Sequence, residues 1–571
     1  MDGFSPWDVA DSSGLVERWW LPEGYQLREF IGRGSFGTVY EVAARTGELF
    51  ALKRIHLLAP GRRLSSRLAS WAARSLRRTL REIACLHALQ KLGHPNLVRL
   101  CGAWTDVAAA AEKDSGRKAI PAVYLLFERL HPHGHMHGDG SGAAPPTLSH
   151  AASMVTQLLG GLASLHESGI VHRDVKPANL LFAAQPARGA DAELGPLAAP
   201  GQLRLIDFGM ARLTQLPAAE VEAEAAEAVA ALAAGDPAGA GASHRTPQSP
   251  AQPPPPPPDR RFSRDAATAS YRSPELVIHS LVCPDDDAAA SSAVSAHGAV
   301  RTLPALAPSD VWAAGCVFAE MLSRVQYGAG GGGCDGSGGE VGGGGLEGGG
   351  GAAAQAVTPL HLSLFGPMAG PAGGSAEGLD DESLDEARDA QLESCPDDSL
   401  ADILRVVGAE PRAIRGWRRM LGCGVGAHPP TRTPPPTEVA GDDGDGGGGG
   451  DAGAKMEERL LEFVGELEPL PARLEQKFAA VAAEGRAGGA ALDLLRWLLC
   501  PGHAERARST ACLAHPFCVP GATGDSVPKL SAATRAALEE LSETAERCSD
   551  LQELVSRIQE AVDLVGPPLP Q

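Results

Sequence analysis

The stretch "GIVHRDVKPANLLF", residues 169–182, is the most specific pattern in the chain. Three different polar side chains stand in a row at 172–174, and a single amide, Asn179, precedes an apolar run. Downstream, "IDFG" (206–209) sets a second aspartate between an apolar residue and a glycine. Polar residues at set positions next to apolar, strand-like runs indicate a functional loop on a rigid scaffold. What that loop acts on is indicated by the segments upstream of it.

A glycine-rich loop lies near the start of the chain. The segment "REFIGRGSFGTVYEV" (28–42) carries the spacing G-x-G-x-x-G at Gly32, Gly34 and Gly37. Glycines let backbone amides approach phosphate oxygens because no Cβ stands in the way. A dinucleotide-binding loop has the same spacing but opens a helix, whereas this chain continues as the strand-like "TVYEV". The loop therefore favours a phosphate cradle between two strands.

A lysine and a glutamate follow this loop. Lys53 lies in the apolar run "LFALKRI" (49–55), where a lysine is otherwise an exposed strand residue. After a phosphate loop, its charge suits the α- and β-phosphates of a nucleotide. Glu82 is the sole acid of a basic helical segment, so it is either a solvated helix residue or the ionic partner of Lys53.

In this order, the glycine loop, the lysine, the H-R-D-x-x-x-x-N pattern and "DFG" resemble the signature motifs of a eukaryotic protein kinase. The resemblance implies an α+β, bilobal protein kinase fold with long disordered insertions. A small β-rich N-lobe would span residues 25–130 and a larger helical C-lobe residues 131–517. It also implies ATP and Mg²⁺ as cofactors.

The resemblance assigns roles to the residues of the two loops. Asp174 would accept or orient the proton of the substrate hydroxyl, and Lys176 would lie near the transferred phosphoryl group. Asn179 and Asp207 would ligate magnesium, since oxygen ligands suit a hard cation. An internal apolar spine would stack Leu86, Leu100, His172 and Phe208.

The same resemblance outlines the nucleotide site. The segment "LLFERL" (125–130) would be the hinge, with Phe127 as gatekeeper and backbone groups of 128–130 facing adenine. The residues assigned to ATP are Ile31, Gly32, Gly34, Gly37, Val39, Ala51, Lys53, Glu82, Phe127, Glu128 and Leu130.

The segment between "DFG" and "SPE" (273–275) resembles a kinase activation segment that carries a long insertion. The insertion, 213–258, ends in six consecutive prolines. Such a run adopts an extended left-handed helix, so it is either a spacer or a ligand for an aromatic-lined module.

Beyond the prolines, "RFSRDAATASYRSPE" (261–275) resembles the activation-segment ending of cyclin-dependent and related kinases. Ser263 stands where those kinases carry an activating phosphothreonine, and Thr268 is a further candidate catalytic residue. The arginines that match phosphate anchors are Arg81, Arg173 and Arg212. Clustered guanidiniums repel one another unless an anion joins them, so phosphorylated Ser263 is predicted to order the segment. The alternative is an exposed loop serine without that role.

Segments of the C-terminal half resemble the CMGC group and, within it, the cyclin-dependent branch of serine/threonine kinases. They include "SDVWAAGCVFAEML" (309–322) and a closing pattern in which Arg506 would pair with Glu275. Arg272 matches the arginine that gives this group its preference for proline after the target residue. The implied substrates are proteins with Ser-Pro or Thr-Pro sites. A cyclin-like activator remains open, because "RRTLRE" (77–82) stands where the cyclin-binding signature would be.

The predicted organisation is an N-terminal extension (1–24), a kinase domain (25–517) and a C-terminal tail (518–571). Segments rich in Gly, Ala and Pro bury too little apolar surface to fold, so they are predicted to be disordered insertions. These insertions lie near 131–147, 213–258, 284–308, 324–358, 366–398 and 422–455. The tail has an amphipathic helical pattern at 550–565, which would either pack back onto the kinase domain or bind a partner helix.

Composition excludes several other classes. The formal net charge of −20 opposes direct nucleic-acid binding, which needs a surplus of Lys and Arg. The arginine-rich run 62–81 is either a solvated face or a docking or nuclear-import patch. We expect no signal peptide, no membrane span and no disulfide framework, hence an intracellular protein, cytoplasmic and/or nuclear. The rival to an active kinase is a kinase-shaped scaffold that recruits partners through its insertions.

Overall fold

A five-stranded antiparallel sheet makes up most of the N-terminal lobe. Its strands are β3 (Gln26–Gly34), β4 (Gly37–Ala43), β5 (Leu49–His56), β6 (Leu100–Thr105) and β7 (Ala122–Glu128), in the order β3-β4-β5-β7-β6. The structure, a computed structural model, describes residues 3–10, 16–34, 37–57, 66–106, 121–132, 146–183, 201–214, 268–282, 307–329, 398–420, 449–470, 472–519, 527–548 and 550–568.

The alternation of side chains along β5 separates the two faces of this sheet. Phe50, Leu52 and Arg54 are buried on the outer face, where the Arg54 guanidinium lies 5.4 Å from the ring centroid of Trp19. Ala51 and Lys53 point to the opposite face, which borders the cleft between the lobes. The strand therefore fixes both a small core and the position of the lysine.

The N-terminal extension folds as a hairpin on the outer face of the sheet. Strands β1 (Phe4–Ala10) and β2 (Val16–Pro22) pair antiparallel. Trp19 and Leu21 are fully buried in the core of the N-lobe, and Trp104 donates its indole N–H to Trp20 O at 2.8 Å. The division at residue 24 therefore does not separate the extension from the lobe, because its aromatic residues belong to the same core.

The long helix α1 (Ser66–Leu92) lies beside the sheet and carries Glu82. Its buried apolar residues Leu76, Leu80, Ile83 and Leu86 recur every three or four positions, which gives one continuous face. This face joins the core that runs into the C-terminal lobe. The position of α1 thus decides where Glu82 lies relative to the cleft.

The C-terminal lobe is mainly helical. Short strands β8 (Leu130–His131), β9 (Ile170–Val171), β10 (Leu180–Ala183), β11 (Gln202–Leu205) and β12 (Arg212–Leu213) lie next to the cleft. Its helices are α2 (Leu148–Glu167), α3 (Pro274–Val282), α4 (Ala307–Ala329), α5 (Asp398–Val407), α6 (Pro411–Met420), α7 (Gly449–Glu466), α8 (Leu474–Lys477), α9 (Ala479–Ala482), α10 (Gly485–Leu498) and α11 (Ser509–Leu513). None of the helices in the described ranges has a stretch both long and apolar enough to span a membrane.

Two further helices, α12 (Ala532–Arg547) and α13 (Leu551–Val565), form what we call the C-terminal helical pair. Both pack along α1, and α13 also contacts β6. Of the two alternatives for the amphipathic segment 550–565, packing back onto the kinase domain is therefore the one observed. Leu538, Leu554 and Ile558 are buried in the common core, so this core extends beyond residue 518.

Some predicted insertion boundaries also differ from the structure. Helix α4 continues to Ala329, past the predicted limit at 324, because "RVQYGA" can extend a helix until the glycine tract begins. Helix α7 begins at Gly449, inside the insertion predicted to end at 455. Thr147, placed in the first insertion, caps α2 by accepting a hydrogen bond from His150 N. Most of the remaining insertion residues lie outside the described ranges.

Candidate active site

The catalytic loop is held in an unusual backbone conformation. Arg173 has φ = 71°, in the left-handed region that is costly for a residue with a side chain. Asp310, at the start of α4, accepts hydrogen bonds from His172 N at 2.7 Å and from Arg173 N at 2.8 Å. The His166 ring also contacts Asp310, at 3.1 Å. A buried carboxylate thus fixes the loop from the helical side.

Asp174 projects into the cleft with three neighbours around its carboxylate. Lys176 Nζ lies 2.8 Å from Oδ2, and the Thr268 hydroxyl donates to Oδ1 at 2.9 Å. Lys176 Nζ also donates to Thr268 Oγ1 at 2.9 Å, which closes a triangle of contacts. Asn179 Nδ2 donates to the Asp174 backbone oxygen at 2.8 Å and to Oδ2 at 3.1 Å. The structure brings the four candidate catalytic residues together.

The charge on Asp174 is favoured by these neighbours. Burial raises the pKa of the Asp174 carboxyl, but hydrogen bonds from Lys176 and Thr268 and the charge of Lys176 outweigh it, and the net pKa is lowered. The group is therefore a carboxylate at neutral pH. An ionised carboxylate at the cleft can accept a proton or orient a hydroxyl.

The two predicted metal ligands lie at adjacent strand ends. Strands β10 and β11 pair antiparallel, with Leu180 opposite Leu205. Asn179 directly precedes β10 and Asp207 lies two residues after the end of β11, so both lie at the same edge of this strand pair. The amide nitrogen of Asn179 is used in bonds to Asp174, which leaves its oxygen as the atom able to bind a cation. A carboxylate and an amide oxygen at the mouth of a phosphate site fit magnesium.

Asp207 adopts a strained conformation like that of Arg173. Its φ is 62°, and its carboxylate accepts a hydrogen bond from Gly209 N at 3.4 Å. Burial raises the pKa of Asp207, but the charges of Lys53, His172 and Arg78 more than compensate and the net pKa is lowered. The site thus presents a charged oxygen ligand, as magnesium prefers.

Lys53 and Glu82 form a buried ion pair. Lys53 Nζ lies 2.6 Å from Glu82 Oε1 and 3.7 Å from Asp207 Oδ1. Burial lowers the pKa of Lys53, but the carboxylates of Glu82 and Asp207 outweigh it and the net pKa is raised. Of the two readings of Glu82, the structure has the ionic partner and not the solvated helix residue. The ammonium group is held at the cleft, where it can meet phosphate oxygens.

The strands above the cleft provide the space for a nucleotide. A Cβ on Gly37 would stand 2.2 Å from Arg54 O, so only glycine fits this turn of the sheet. A Cβ on Gly32 would meet no atom within 4 Å, which leaves room for a ligand over the loop. Val39 pairs with Lys53, and Ala51 pairs with Phe127, so these residues line one face. Ile31 is exposed at the end of β3, and Gly34 pairs with Gly37.

The hinge is anchored by its own acidic residue. The Glu128 carboxylate accepts hydrogen bonds from Arg99 N at 2.9 Å and from Arg204 Nε at 2.9 Å. Leu130 is buried and pairs with Ala183, which connects the hinge to the C-lobe. The segment is therefore anchored to both lobes, and its backbone groups can provide a contact surface for a base.

A stack of side chains connects the lobes behind the site. The rings of His172 and Phe208 lie edge to face with centroids 4.9 Å apart, and His172 Nε2 contacts Ile206 O at 2.9 Å. Leu86 and Leu100 are buried in the same core as Phe208. The four residues predicted as an internal spine are therefore all buried where the lobes meet.

The three predicted phosphate anchors lie close together near the place where α1 meets α12. Arg81 and Arg212 line one pocket, whose wall is completed by Leu538, Ser542 and Glu546 of α12. Burial lowers the pKa of Arg81, and the charges of Arg212 and Arg173 lower it further, while Glu546 opposes this. We call the cluster of Arg81, Arg173 and Arg212, with the pocket that Arg81 and Arg212 line, the arginine pocket. A guanidinium whose pKa is lowered by neighbouring arginines lies in a site that an anion would stabilise.

Two predictions about the activation segment stay predictions, and a third is present in the structure. Ser263 lies outside the described residues, so its phosphorylation stays a prediction. Arg272 is half-buried. Of its neighbours in the sequence, Tyr271 donates to Glu320 Oε1 at 2.6 Å and Ser273 is buried. The role of Arg272 in proline recognition also stays a prediction. The pairing of Arg506 with Glu275 is present in the structure, with N–O distances of 2.7 and 3.0 Å.

Sequence reasoning missed two residues of the site. Asp310 stands in a quoted motif, but its contact with the catalytic loop crosses 137 positions of the chain. Arg78 lies one helical turn before Glu82, and its guanidinium lies close to Gly209 of the "DFG" segment. A Cβ at position 209 would come within 2.7 Å of this guanidinium. Burial lowers the pKa of Arg78, and the carboxylates of Glu82, Asp207 and Asp174 oppose this. The i, i+4 spacing to Glu82 was the available signal for Arg78.

Comparison with family models agrees with this geometry. Residues 25–228 match the model described as the protein kinase domain, which includes the glycine loop, Lys53, the catalytic loop and Asp207. The match supports a eukaryotic protein kinase with the use of ATP, in a fold that has a β-sheet N-terminal region and a helical C-terminal region. Residues 25–228 are therefore similar to a protein kinase domain.

Proposed function

We propose that this domain is an active serine/threonine protein kinase of the cyclin-dependent-like branch of the CMGC group. The observation that carries the proposal is the contact triangle of Asp174, Lys176 and Thr268 beside the Lys53–Glu82 ion pair. These contacts support the proposal because they hold both the proposed base and the proposed phosphate-binding lysine in fixed positions beside the cleft. An inactive kinase-shaped scaffold would be free to lose Lys53, Asp174 or Asp207, and this chain has all three.

Each residue has a defined task in this proposal. Asp174 accepts or orients the proton of a Ser or Thr hydroxyl, and Lys176 stabilises charge on the group being transferred. Lys53, held by Glu82, positions the nucleotide phosphates. Asn179 and Asp207 would hold Mg²⁺ by their oxygens. When bound, Mg²⁺–ATP supplies the γ-phosphoryl group and neutralises the charge that develops on its oxygens.

The preference for Ser-Pro and Thr-Pro sites is proposed from Arg272 and the resemblance of "YRSPE" to the CMGC group. The lysine at 176 is typical of serine/threonine kinases. The setting we propose is intracellular, cytoplasmic or nuclear, with protein substrates and no direct nucleic-acid binding. A cyclin-like activator is compatible with this branch.

The test is γ-phosphate transfer to a peptide library in which the target is Ser, Thr or Tyr and the next residue is Pro or Ala. We expect Mg²⁺-dependent transfer to Ser and Thr, with Pro favoured over Ala, and little transfer to Tyr. Transfer to Ser and Thr without a preference for Pro would remove the CMGC assignment and leave the kinase. No transfer by protein that binds ATP would favour the scaffold.

We also propose that phosphorylated Ser263 binds the arginine pocket and orders the activation segment. The Ser263→Ala variant should lose about 10-fold or more in kcat, since charge-assisted hydrogen bonds contribute roughly 1.5–3 kcal/mol. The measurement compares transfer by phosphorylated and phosphatase-treated wild type with transfer by the variant. Ser270→Ala is the matched control. If wild type and Ser263→Ala transfer phosphate equally before and after phosphatase treatment, Ser263 has no such role.

A further inference from the structure

The C-terminal helical pair covers one face of α1. Its buried apolar residues share one core with Leu76, Leu80 and Ile83 of α1. Those residues are Leu538, Ala545, Leu554, Val555, Ile558, Ala561 and Val562. Each helix has its own N-cap: Ser531 accepts from Thr534 N, and Asp550 accepts from Gln552 N at 2.7 Å. The pair is therefore a defined structural element and not a loose tail.

Polar contacts connect this pair to the N-lobe. Arg77 of α1 donates its Nε to Cys548 O at 3.0 Å, in the turn between α12 and α13. Ala103 N of the edge strand β6 donates to Gly566 O at 2.8 Å. The Thr105 hydroxyl contacts the side chain of Gln559. The end of the chain thus reaches both α1 and the edge of the sheet.

The same pair is also connected to the C-lobe. Arg535 of α12 donates to Ser168 O at 3.2 Å and to Thr214 O at 3.0 Å, next to the start of the activation segment. Leu530 N donates to Ser168 Oγ at 3.0 Å. The pair therefore contacts both lobes as well as α1.

The pair also brings a negative charge to the arginine pocket. Glu546 lines this pocket with Arg81 and Arg212, two residues before Cys548, whose backbone oxygen binds Arg77. Its carboxylate is exposed, so it stands at the mouth of the pocket and not in its floor. This charge offsets part of the repulsion among the arginines while α1 is docked.

We propose that the C-terminal helical pair is a built-in positioning element for Glu82. By holding α1 against both lobes, it keeps Glu82 at 2.6 Å from Lys53 Nζ. The occupant of this face of α1 is a segment of the same chain, residues 527–568, so no separate activating protein is required there. The consequence for catalysis rests on the proposed kinase function, whereas the effect on α1 does not.

The test uses the full-length chain and two substitutions on α13. Ile558→Asp puts a charge into the fully buried interface, and Ser556→Asp puts the same charge on the exposed side of the same helix. We expect Ile558→Asp to lose about 10²-fold in kcat/KM for ATP, the size of effect that misplaced catalytic groups produce. We expect Ser556→Asp to behave as wild type. A synthetic peptide of residues 527–568 should restore activity to Ile558→Asp, which a loss of global folding would not allow.

Hydrogen exchange over residues 66–92 separates this inference from the kinase function. Exchange in α1 should increase in Ile558→Asp and return to the wild-type rate with the peptide, whether or not phosphate is transferred. Arg77→Ala, which removes the bond to Cys548 O, is a milder variant that should increase exchange in α1 and lower kcat/KM several-fold. Unchanged exchange and activity in both variants, or higher activity in either, would overturn the inference.

Discussion

Replacing Asp174 by asparagine is expected to lower kcat by about 10²–10⁴-fold, the usual contribution of a general base. Asparagine has nearly the same shape but only one acceptor oxygen, so it can keep the contact with Lys176 at Oδ2 or the one with Thr268 at Oδ1, and not both. It cannot take up a proton at neutral pH. The variant therefore removes the proton acceptor and leaves the loop intact.

The affinity for ATP should change little in this variant, because Lys53 and Asp207 hold the phosphate end of the nucleotide in our proposal. Measurement of kcat at saturating peptide and of ATP binding by titration separates the two effects. Asp402→Asn is a matched control, since Asp402 is 38% exposed on α5, outside the cleft. A variant with wild-type kcat would mean that another group accepts the proton.

The pH dependence of kcat/KM, which reports the free enzyme, provides an independent check. The folded-state pKa of Asp174 lies below its ordinary value of 3.8, so the carboxylate is mostly ionised above that pH. The acidic limb of the profile, where kcat/KM falls with decreasing pH, should lie at this lowered pKa. If the acidic limb lies near pH 6, a different group controls the reaction.

Local motifs were sufficient to name residues that the structure brings together at the cleft, because each predicted task needs a certain residue type at a set spacing. Asp174, Lys176 and Asn179 lie within six positions of one another, and the loop that joins them is short. Contacts between distant segments could not be predicted in this way. Asp310 fixes the catalytic loop from another helix, and no local pattern in the sequence says which backbone groups a buried acid will bind.

The contacts that the N-terminal and C-terminal segments make with the rest of the protein could not be predicted from local patterns either. The periodicity of 550–565 predicted the helix but not the surface it covers, since an amphipathic face fits any apolar partner. The hairpin at the N-terminus was also missed, although "DSSG" (11–14) is a turn signal between two strands with tryptophans. Its burial depends on the pairing of Trp19 with Tyr40 and Tyr124, residues that are far apart in the sequence.

Replacing Arg506 by alanine is expected to destabilise the protein by about 3–5 kcal/mol, the cost of leaving a buried charge without its partner. The side chains of Arg506 and Glu275 are 0% and 4% exposed. Arg506 also donates to Cys500 O at 2.8 Å and to Pro308 O at 2.8 Å, and it stacks on Trp312. The guanidinium therefore joins α3 and α4 to the loop before α11.

Thermal unfolding measures this effect, which should lower Tm by roughly 6–20 °C for a domain of this size. Arg547→Ala is the matched control, because Arg547 is 77% exposed in its ion pair with Glu543 and such pairs contribute roughly 0–1 kcal/mol. A double variant, Arg506→Met with Glu275→Gln, should be less destabilised than Arg506→Ala, since it leaves no buried charge. Equal Tm values for wild type and Arg506→Ala would contradict the prediction.

The pH dependence of this difference has a definite sign. Burial raises the pKa of Glu275, but the charge and hydrogen bonds of Arg506 outweigh it, and the net pKa lies below the ordinary value of 4.5. A carboxylate with a lowered folded-state pKa stabilises the protein fully above its ordinary pKa and loses this contribution as pH falls through the lowered one. The Tm difference between wild type and Arg506→Ala should therefore be largest near neutral pH and shrink below pH 4.5. A difference that grew in acid would mean that the pair is not what stabilises this junction.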